Sequence, residues 1–167
     1  MNRHYTAGEY YESVENLRRV YDHPAITTDV IVGFPGETKE EFRETVAFLE
    51  KISFFEMHIF KYSKRQGTRA AQMKDQVPDP QKNERSNLLL ELERKQSKNY
   101  RSRYIGEVTE VLFEETKEIN HRNYWVGHTP HYVKVAMESP DNLANCLKKV
   151  LVTDFLTDEI LKCNSFD

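Results

Sequence analysis

The sequence predicts an α/β unit followed by a small all-β barrel, and three patterns in its 167 residues support this prediction. Helical and strand-like segments alternate in the first part of the chain, as they do in proteins built on a parallel sheet. One long, charged helical segment follows. From Tyr104 onward, short strand-like runs are separated by turn residues, which is the pattern of a small β-barrel.

The first predicted elements are a helix and a strand. Thr6 and Glu9 form a capping box, in which a hydroxyl and a carboxylate satisfy the first free N–H groups of a helix. Pro24 ends that helix, because the residue before a proline disfavours helical backbone. The β-branched run at residues 26–32 predicts a buried parallel strand, in which Asp29 must find a partner.

A second helix and a second strand follow. Thr38 and Glu41 repeat the capping box ahead of an apolar stripe with helical spacing. Residues 54–62 then contain a second buried strand, with His58 inside it. This order is the repeating unit of an α/β barrel or an open parallel sheet. Two strands cannot close a barrel, so we expect this part of the chain to be cut from a larger sheet whose exposed edge favours oligomers.

The remaining segments predict a loop, a helix and several short strands. Residues 64–80 are loop-like, and residues 81–103 form a connecting helix. The strand-like runs beyond it are residues 105–113, 123–126, 132–137 and 149–155. They predict an all-β barrel over residues 104–167.

Charge is distributed unevenly around the net value of −3. Residues 61–103 carry 12 Lys and Arg against 5 Asp and Glu, whereas residues 1–60 and 104–167 each carry 6 against 11. We call residues 61–103 the basic belt. It is compatible with docking a phosphate backbone, and equally with a solvated helix whose cations face outward.

Composition excludes a membrane protein and a disulfide scaffold. No apolar run approaches the roughly 20 residues of a membrane span, and the polar N-terminus lacks the apolar core of a signal peptide. The predicted compartment is therefore the cytoplasm. Cys146 and Cys163 are predicted to be free thiols, because two cysteines at this spacing cannot build an iron–sulfur or zinc site unaided.

Two strand ends carry residues suited to binding a flat ligand. Gly33 follows the first strand and would let such a ligand approach the backbone, although spacing alone favours the alternative of an ordinary tight turn. His58, Phe60 and Tyr62 share one face of the second strand and suit a nucleobase, with a core histidine as the alternative. Arg65, just beyond, could hold a phosphate or a carboxylate.

A third motif, GHTPHYVKV at residues 127–135, combines aromatic and basic side chains that can stack bases and hold phosphates. The candidates around it are Tyr124, Trp125, His128, His131, Tyr132 and Lys134. Strand alternation implies that about half of them fill the barrel core instead. The net negative charge of residues 104–167 argues against tight RNA binding by this barrel alone.

Four segments together resemble the C-terminal half of a radical-SAM methylthiotransferase followed by its TRAM domain. They are MNRHYTAGEYYESVENLR, TTDVIVGFPGETKEEFRETVAFL, MHIFKYSKRQGTRAAQMKDQV and GHTPHYVKVAME. The resemblance implies that residues 1–80 are the C-terminal part of a truncated radical-SAM α/β barrel. Residues 81–103 would be the connecting helix, and residues 104–167 an RNA-binding TRAM-like barrel.

The resemblance also implies site residues. Its cofactor positions are Arg3, Ile31, Gly33, Phe34, Phe60 and Tyr62, with Arg3 on the carboxylate of S-adenosylmethionine. Its substrate or RNA positions are His58, Lys64, Arg65, Arg69, His131, Tyr132 and Lys134. The family's C-x-x-x-C-x-x-C motif is absent, so no catalytic residue and no metal ligand is assigned.

The activity implied is the transfer of a methylthio group to C2 of N6-threonylcarbamoyladenosine near the tRNA anticodon. The full-length parent would use S-adenosylmethionine and two 4Fe–4S clusters, and its partners would be tRNA and the missing N-terminal half. We expect this chain alone to bind no cofactor and to be inactive. The alternatives are an isopentenyladenosine or ribosomal-protein aspartate substrate, or a non-catalytic RNA-binding fragment.

Overall fold

The computed structural model describes residues 4–166 and divides the chain into two compact units, Met1–Gln96 and Ser97–Asp167. The helices are α1 (Ala7–Val20), α2 (Lys39–Ile52), α3 (Arg69–Gln72) and α4 (Asp79–Ser102). The strands are β1 (Thr27–Val32), β2 (Glu56–Lys61), β3 (Val108–Ile119), β4 (Arg122–His128), β5 (Lys134–Met137), β6 (Cys146–Phe155) and β7 (Leu161–Ser165). The predicted order of an α/β part and an all-β part is confirmed, and the unit boundary falls within α4.

Both predicted capping boxes are present in the first unit. The Thr6 hydroxyl accepts a hydrogen bond from the Glu9 N–H at 3.2 Å, and the Glu9 carboxylate accepts one from the Thr6 N–H at 2.7 Å. Thr38 and Glu41 repeat this exchange at the start of α2, at 3.1 and 2.8 Å. Each box satisfies backbone donors that the first turn of a helix leaves free.

Strands β1 and β2 form a parallel pair, in register from Thr27 opposite Glu56 to Val32 opposite Lys61. The helices supply an apolar core for this sheet. Its buried members are Val14, Val32, Phe42, Leu49, Ile52, Phe54, Met57 and Leu89. The buried side chain of Gln96 joins α4 to this core, because it donates to the Leu49 carbonyl at 2.9 Å and accepts from the Phe54 N–H at 3.1 Å.

The prediction that both strands are buried is wrong. Burial alternates along β1, so Asp29 and Ile31 are exposed whereas Val32 is fully buried. The reason is that the core packs against only one face of a two-stranded sheet, and successive side chains point to opposite faces. We call the other face, which carries Asp29, Ile31, His58 and Phe60, the open face.

Strands β3 to β7 close into a barrel in the order β3-β4-β5-β7-β6. All neighbouring pairs are antiparallel except β5 with β7. Strand β7 was not predicted, because its Lys162 and Asn164 break the run of apolar residues. Similarly, the region predicted as loop contains α3, a single turn that Thr68 caps by accepting from the Ala71 N–H at 3.2 Å.

No helix within residues 4–166 combines the length and the apolar composition needed to cross a bilayer.

The capping box of α2 should make stability depend on pH. Hydrogen bonds from the backbone and hydroxyl of Thr38 lower the pKa of Glu41. A lowered pKa contributes stability above the unfolded pKa, and this contribution is lost as pH falls through the folded value. We therefore expect the free energy of unfolding to decrease as the pH drops below about 4.5, the ordinary pKa of glutamate. The free energy of unfolding of Glu41→Gln should depend less on pH.

Chemical denaturation across the acid range measures this effect. Gln at the same position still completes a capping box, so the variant changes titration more than geometry. Glu44→Gln, on the same helix, is the matched control. An equal loss of pH dependence in both variants would contradict the assignment to the box.

Candidate cofactor and RNA sites

The loop after β1 is held by a nearly buried ion pair. The Glu37 carboxylate accepts from the Gly33 N–H at 2.6 Å and forms a short contact with the Arg85 guanidinium. Arg85 also donates to the Glu37 carbonyl at 3.2 Å. Glu37 precedes Thr38, the N-cap residue of α2, and these hydrogen bonds fix the loop.

Gly33 is required here by a close approach within the chain. Its φ of +70° lies in the left-handed region, and an added Cβ would lie 2.4 Å from Cγ of Lys82. The Lys82 side chain is itself held by Asp79, whose carboxylate is 3.0 Å from its Nζ. Substitution at Gly33 would therefore displace Lys82 as well as strain the backbone.

Phe34 and Tyr62 meet where the two strands end. Their ring centroids are 5.4 Å apart in a T-shaped arrangement, and the Tyr62 N–H continues the strand pairing by donating to the Val32 carbonyl at 2.8 Å. The Tyr62 hydroxyl is buried, and no described residue hydrogen-bonds to it. Alternation along β2 predicts Tyr62 on the same face as His58, but its hydroxyl is buried rather than exposed.

The open face brings two matched pairs together. Ile31 is the register partner of Phe60, and these side chains are 37% and 52% exposed. Two positions earlier, Asp29 is the register partner of His58, and its Oδ1 lies 3.1 Å from the His58 Nδ1. The result is an apolar surface about 7 Å from an acid–imidazole pair. This chemistry suits a flat, partly polar ring such as adenine.

The predicted basic contacts after β2 lie on an exposed segment. Lys64, Arg65 and Arg69 are all exposed, and none forms an ion pair with another described residue. The Arg65 carbonyl accepts from the Thr68 hydroxyl at 2.8 Å, which fixes the turn but leaves the guanidinium accessible. Three accessible cations within six positions can contact an anionic polymer.

In the second unit, His131 and Tyr132 occupy the turn between β4 and β5. Both are exposed, whereas Lys134 is half-buried. The His131 ring lies 6.2 Å from the Tyr104 ring, and the Tyr132 ring lies 5.4 Å from that of His128. These separations are typical of interacting aromatic rings. The turn therefore presents two rings that contact other rings of the barrel unit.

Tyr124 is not available for stacking. It belongs to the buried barrel core, and burial together with a hydrogen bond to Glu138 raises its pKa. Trp125, its neighbour on the opposite face of β4, is half-buried. Arg3, the remaining predicted contact, lies outside the described residues.

The donor set does not fit an iron–sulfur cluster. Within residues 4–166, no three His, Cys, Asp or Glu side chains are grouped as metal ligands. Cys163 is buried in the barrel with its Sγ 3.5 Å from the Ala136 carbonyl, and Cys146 lies at the start of β6. No chemical step through a cluster is assigned to these residues.

Sequence reasoning missed three pairs of residues: Asp29 with His58, Glu37 with Arg85, and Glu114 with His128. The partners lie 29, 48 and 14 positions apart. Only the first carried a signal, since an acid in an apolar strand requires a partner. The partner itself follows from strand register, which the sequence does not specify.

Comparison with known proteins identifies the family. No protein-family model matches the chain. It is 42% identical over 153 residues to the threonylcarbamoyladenosine tRNA methylthiotransferase of Bacillus subtilis. This match covers 91% of this chain and 34% of the relative. Over nine tenths of its length the chain is homologous to methylthiotransferases. It is also 40% identical over 157 residues to the tRNA-2-methylthio-N(6)-dimethylallyladenosine synthase of Acetivibrio thermocellus, covering 94% of this chain and 32% of that protein.

The resemblance to radical-SAM methylthiotransferases is thus confirmed. The chain spans about a third of the length of the relatives that it matches. The assignment of the barrel as a TRAM domain and the roles of individual site residues stay predictions.

The two thiols of this chain should differ sharply in reactivity. Burial raises the pKa of Cys163 to about 12, so almost none of it is thiolate near neutral pH. We expect iodoacetamide to alkylate the half-buried Cys146 in the native chain and to reach Cys163 only after unfolding. Mass spectrometry of digested samples measures both sites, and Cys146→Ser provides the control. Equal alkylation rates in the native chain would contradict the buried position of Cys163.

Proposed function

We propose that this chain forms part of the adenosyl-binding wall and of the RNA-binding surface of a tRNA methylthiotransferase. The enzyme would add a methylthio group at C2 of N6-threonylcarbamoyladenosine. The observation that supports this most directly is the open face, where Ile31 and Phe60 lie beside the Asp29–His58 pair. It belongs to a chain whose matched relatives are named as tRNA-modifying enzymes.

In this proposal the open face binds adenine by stacking and hydrogen bonding. Ile31 and Phe60 exclude water from one face of the ring, because both are exposed and apolar. Asp29 holds Nδ1 of His58, which leaves Nε2 for a hydrogen bond to the edge of the base. S-adenosylmethionine, when bound, would supply the methyl group, and the open face would hold its adenosyl moiety. The 4Fe–4S clusters are proposed for the full-length parent alone.

The identity of the modified adenosine rests on a small difference between relatives. The 42% identity to the threonylcarbamoyladenosine enzyme extends over 153 residues. A dimethylallyladenosine synthase from Caldicellulosiruptor saccharolyticus is 46% identical, but over 114 residues and only 68% of this chain. The synthase of Acetivibrio thermocellus matches over 157 residues, but at 40% identity. High identity combined with high coverage of this chain therefore favours threonylcarbamoyladenosine as the substrate, and dimethylallyladenosine is the second candidate.

The adenosyl site can be tested with a nucleoside. We expect 5′-deoxyadenosine to shift the NMR signals of Ile31 and Phe60, and Phe60→Ala to weaken binding by about 1 kcal/mol or more, as loss of a stacked ring does. Phe60 lies on the open face, so its truncation spares the core. Leu147→Ala, an exposed apolar residue of the barrel, is the matched control. If saturating nucleoside shifts no NMR signal of Ile31 or Phe60, this part of the proposal is overturned.

The basic belt can be tested with salt. We expect the chain to bind an anticodon stem-loop weakly, with an affinity that falls steeply as salt rises. Replacing Lys64, Arg65 and Arg69 together by Ala should weaken binding. It should also flatten the slope of log affinity against log salt by about 0.7–0.9 for each phosphate that the protein no longer neutralises. Fluorescence titration over a range of salt concentrations measures both quantities.

A second triple variant separates local contacts from total charge. Arg19, Lys39 and Arg43 are exposed cations outside the belt, and their replacement by Ala changes the net charge equally. We expect this control to alter the slope much less. If the two triples behave alike, the belt is only a solvated face and the cations after β2 make no specific contact.

A further inference from the structure

Tyr132 combines high exposure with a constrained backbone. The residue is 77% exposed, and its φ of +63° lies in a region that non-glycine residues seldom adopt. The turn around it is fixed by three hydrogen bonds centred on the buried Thr129. The Thr129 N–H donates to the Val133 carbonyl at 3.0 Å, its carbonyl accepts from the Tyr132 N–H at 2.9 Å, and its hydroxyl accepts from the Val133 N–H at 3.1 Å. Core packing does not explain why an aromatic ring is held outward in this way.

The Tyr132 ring contacts the His128 ring, which is in turn held by Glu114. Its centroid lies 5.4 Å from that of His128, with 41° between the ring planes. The Nδ1 of His128 lies 2.6 Å from Oε2 of Glu114. Glu114 therefore restrains the imidazole, and the imidazole in turn contacts the exposed phenol ring.

A β-bulge places Glu114 in this position. Phe113 pairs with Gly127 and Glu115 with Val126, so Glu114 is the extra residue of β3. The bulge depends on Gly127, because a Cβ there would lie 2.2 Å from the Leu112 carbonyl oxygen, which backbone atoms cannot accommodate. Bulges redirect side chains and recur beside functional sites.

We propose that Glu114 is a positioning residue for RNA binding: through His128, it holds the Tyr132 ring as a stacking surface for an unpaired nucleobase. This inference rests on the proposed function and assigns part of its RNA-binding surface to the barrel. Lys134 is the register partner of His128, so a cation that can contact a neighbouring phosphate lies beside His128. A carboxylate near RNA repels phosphates, so direct electrostatics alone gives Glu114 no favourable role.

Removal of Glu114 has opposite effects on RNA affinity in the two cases: affinity falls if Glu114 positions Tyr132 and rises if Glu114 only repels phosphates. The probe is a short single-stranded RNA containing one 2-aminopurine, whose fluorescence is quenched by stacking. Tyr132→Ala should reduce affinity roughly 5- to 150-fold, the range for loss of one stacked base. Glu114→Ala should reduce affinity and quenching in the same direction but less. Glu114→Gln should restore most of both, because the amide oxygen can still accept from His128.

Glu118→Ala is the matched control. Glu118 lies on the same strand and also faces a histidine, with its Oε1 3.7 Å from Nδ1 of His121. Its removal deletes the same charge but leaves Tyr132 supported, so affinity should be unchanged or slightly higher. Glu114→Ala should also shift the Tyr132 ring protons in NMR spectra of the free chain, whereas Glu118→Ala should not.

The outcomes separate this inference from the proposed function. Wild-type chain that neither binds nor quenches the probe would overturn RNA binding by the barrel, and with it the purpose assigned to Glu114. A second outcome would overturn the inference alone. In that outcome the wild type binds and Tyr132→Ala weakens binding, but Glu114→Ala binds as tightly as wild type and leaves the Tyr132 ring protons unshifted. Thermal unfolding of each variant verifies that the barrel is intact, and Glu114→Gln provides the comparison if Glu114→Ala is destabilised.

Discussion

The first unit depends on one constraint: a parallel two-stranded sheet is covered by helices on a single face. Side chains alternate along each strand, so the helices bury Val32 of β1 and Met57 of β2, while Ile31 and Phe60 point to the open face. Burial of an apolar side chain is worth about 1.5–3 kcal/mol. Ile31 and Phe60 therefore forgo much of this stabilisation where they lie. In the proposed function, a bound adenosyl group supplies the apolar contact that the helices do not.

A second interaction fixes the edge of that open face. The Glu37–Arg85 pair is nearly buried, and loss of one partner from such a pair costs about 3–5 kcal/mol because the remaining charge is left uncompensated. The pair holds the Gly33 N–H and joins the loop after β1 to α4. It thereby sets the position of Phe34 against Tyr62. The geometry of the loop thus follows from an ion pair between distant segments as well as from its glycines.

Local signals in the sequence were sufficient to predict α1, α2 and α4, but the contacts between distant segments could not be predicted. Thr38 and Glu41 are three positions apart, so their hydrogen bonds can be read from spacing alone. The Asp29–His58 pair requires the register of two strands, and the Glu114–His128 pair requires a bulge that shifts the register by one residue. The open face was mispredicted for a related reason. Apolar composition shows that a strand can be buried, but not how many of its faces are covered.

In the proposed function, charge and stacking contribute to RNA binding in different parts of the chain. Residues 104–167 carry 6 cations against 11 acids, so phosphate attraction cannot be the main term for the barrel. An acidic barrel gains affinity for RNA through uncharged contacts, and exposed rings on a rigid turn provide them with little loss of conformational entropy. In this proposal the basic belt would supply the salt-dependent part of the binding free energy. A carboxylate at Glu114 is consistent with this division, because its favourable effect is to orient rings and its unfavourable effect on phosphates is offset by cations elsewhere in the sequence.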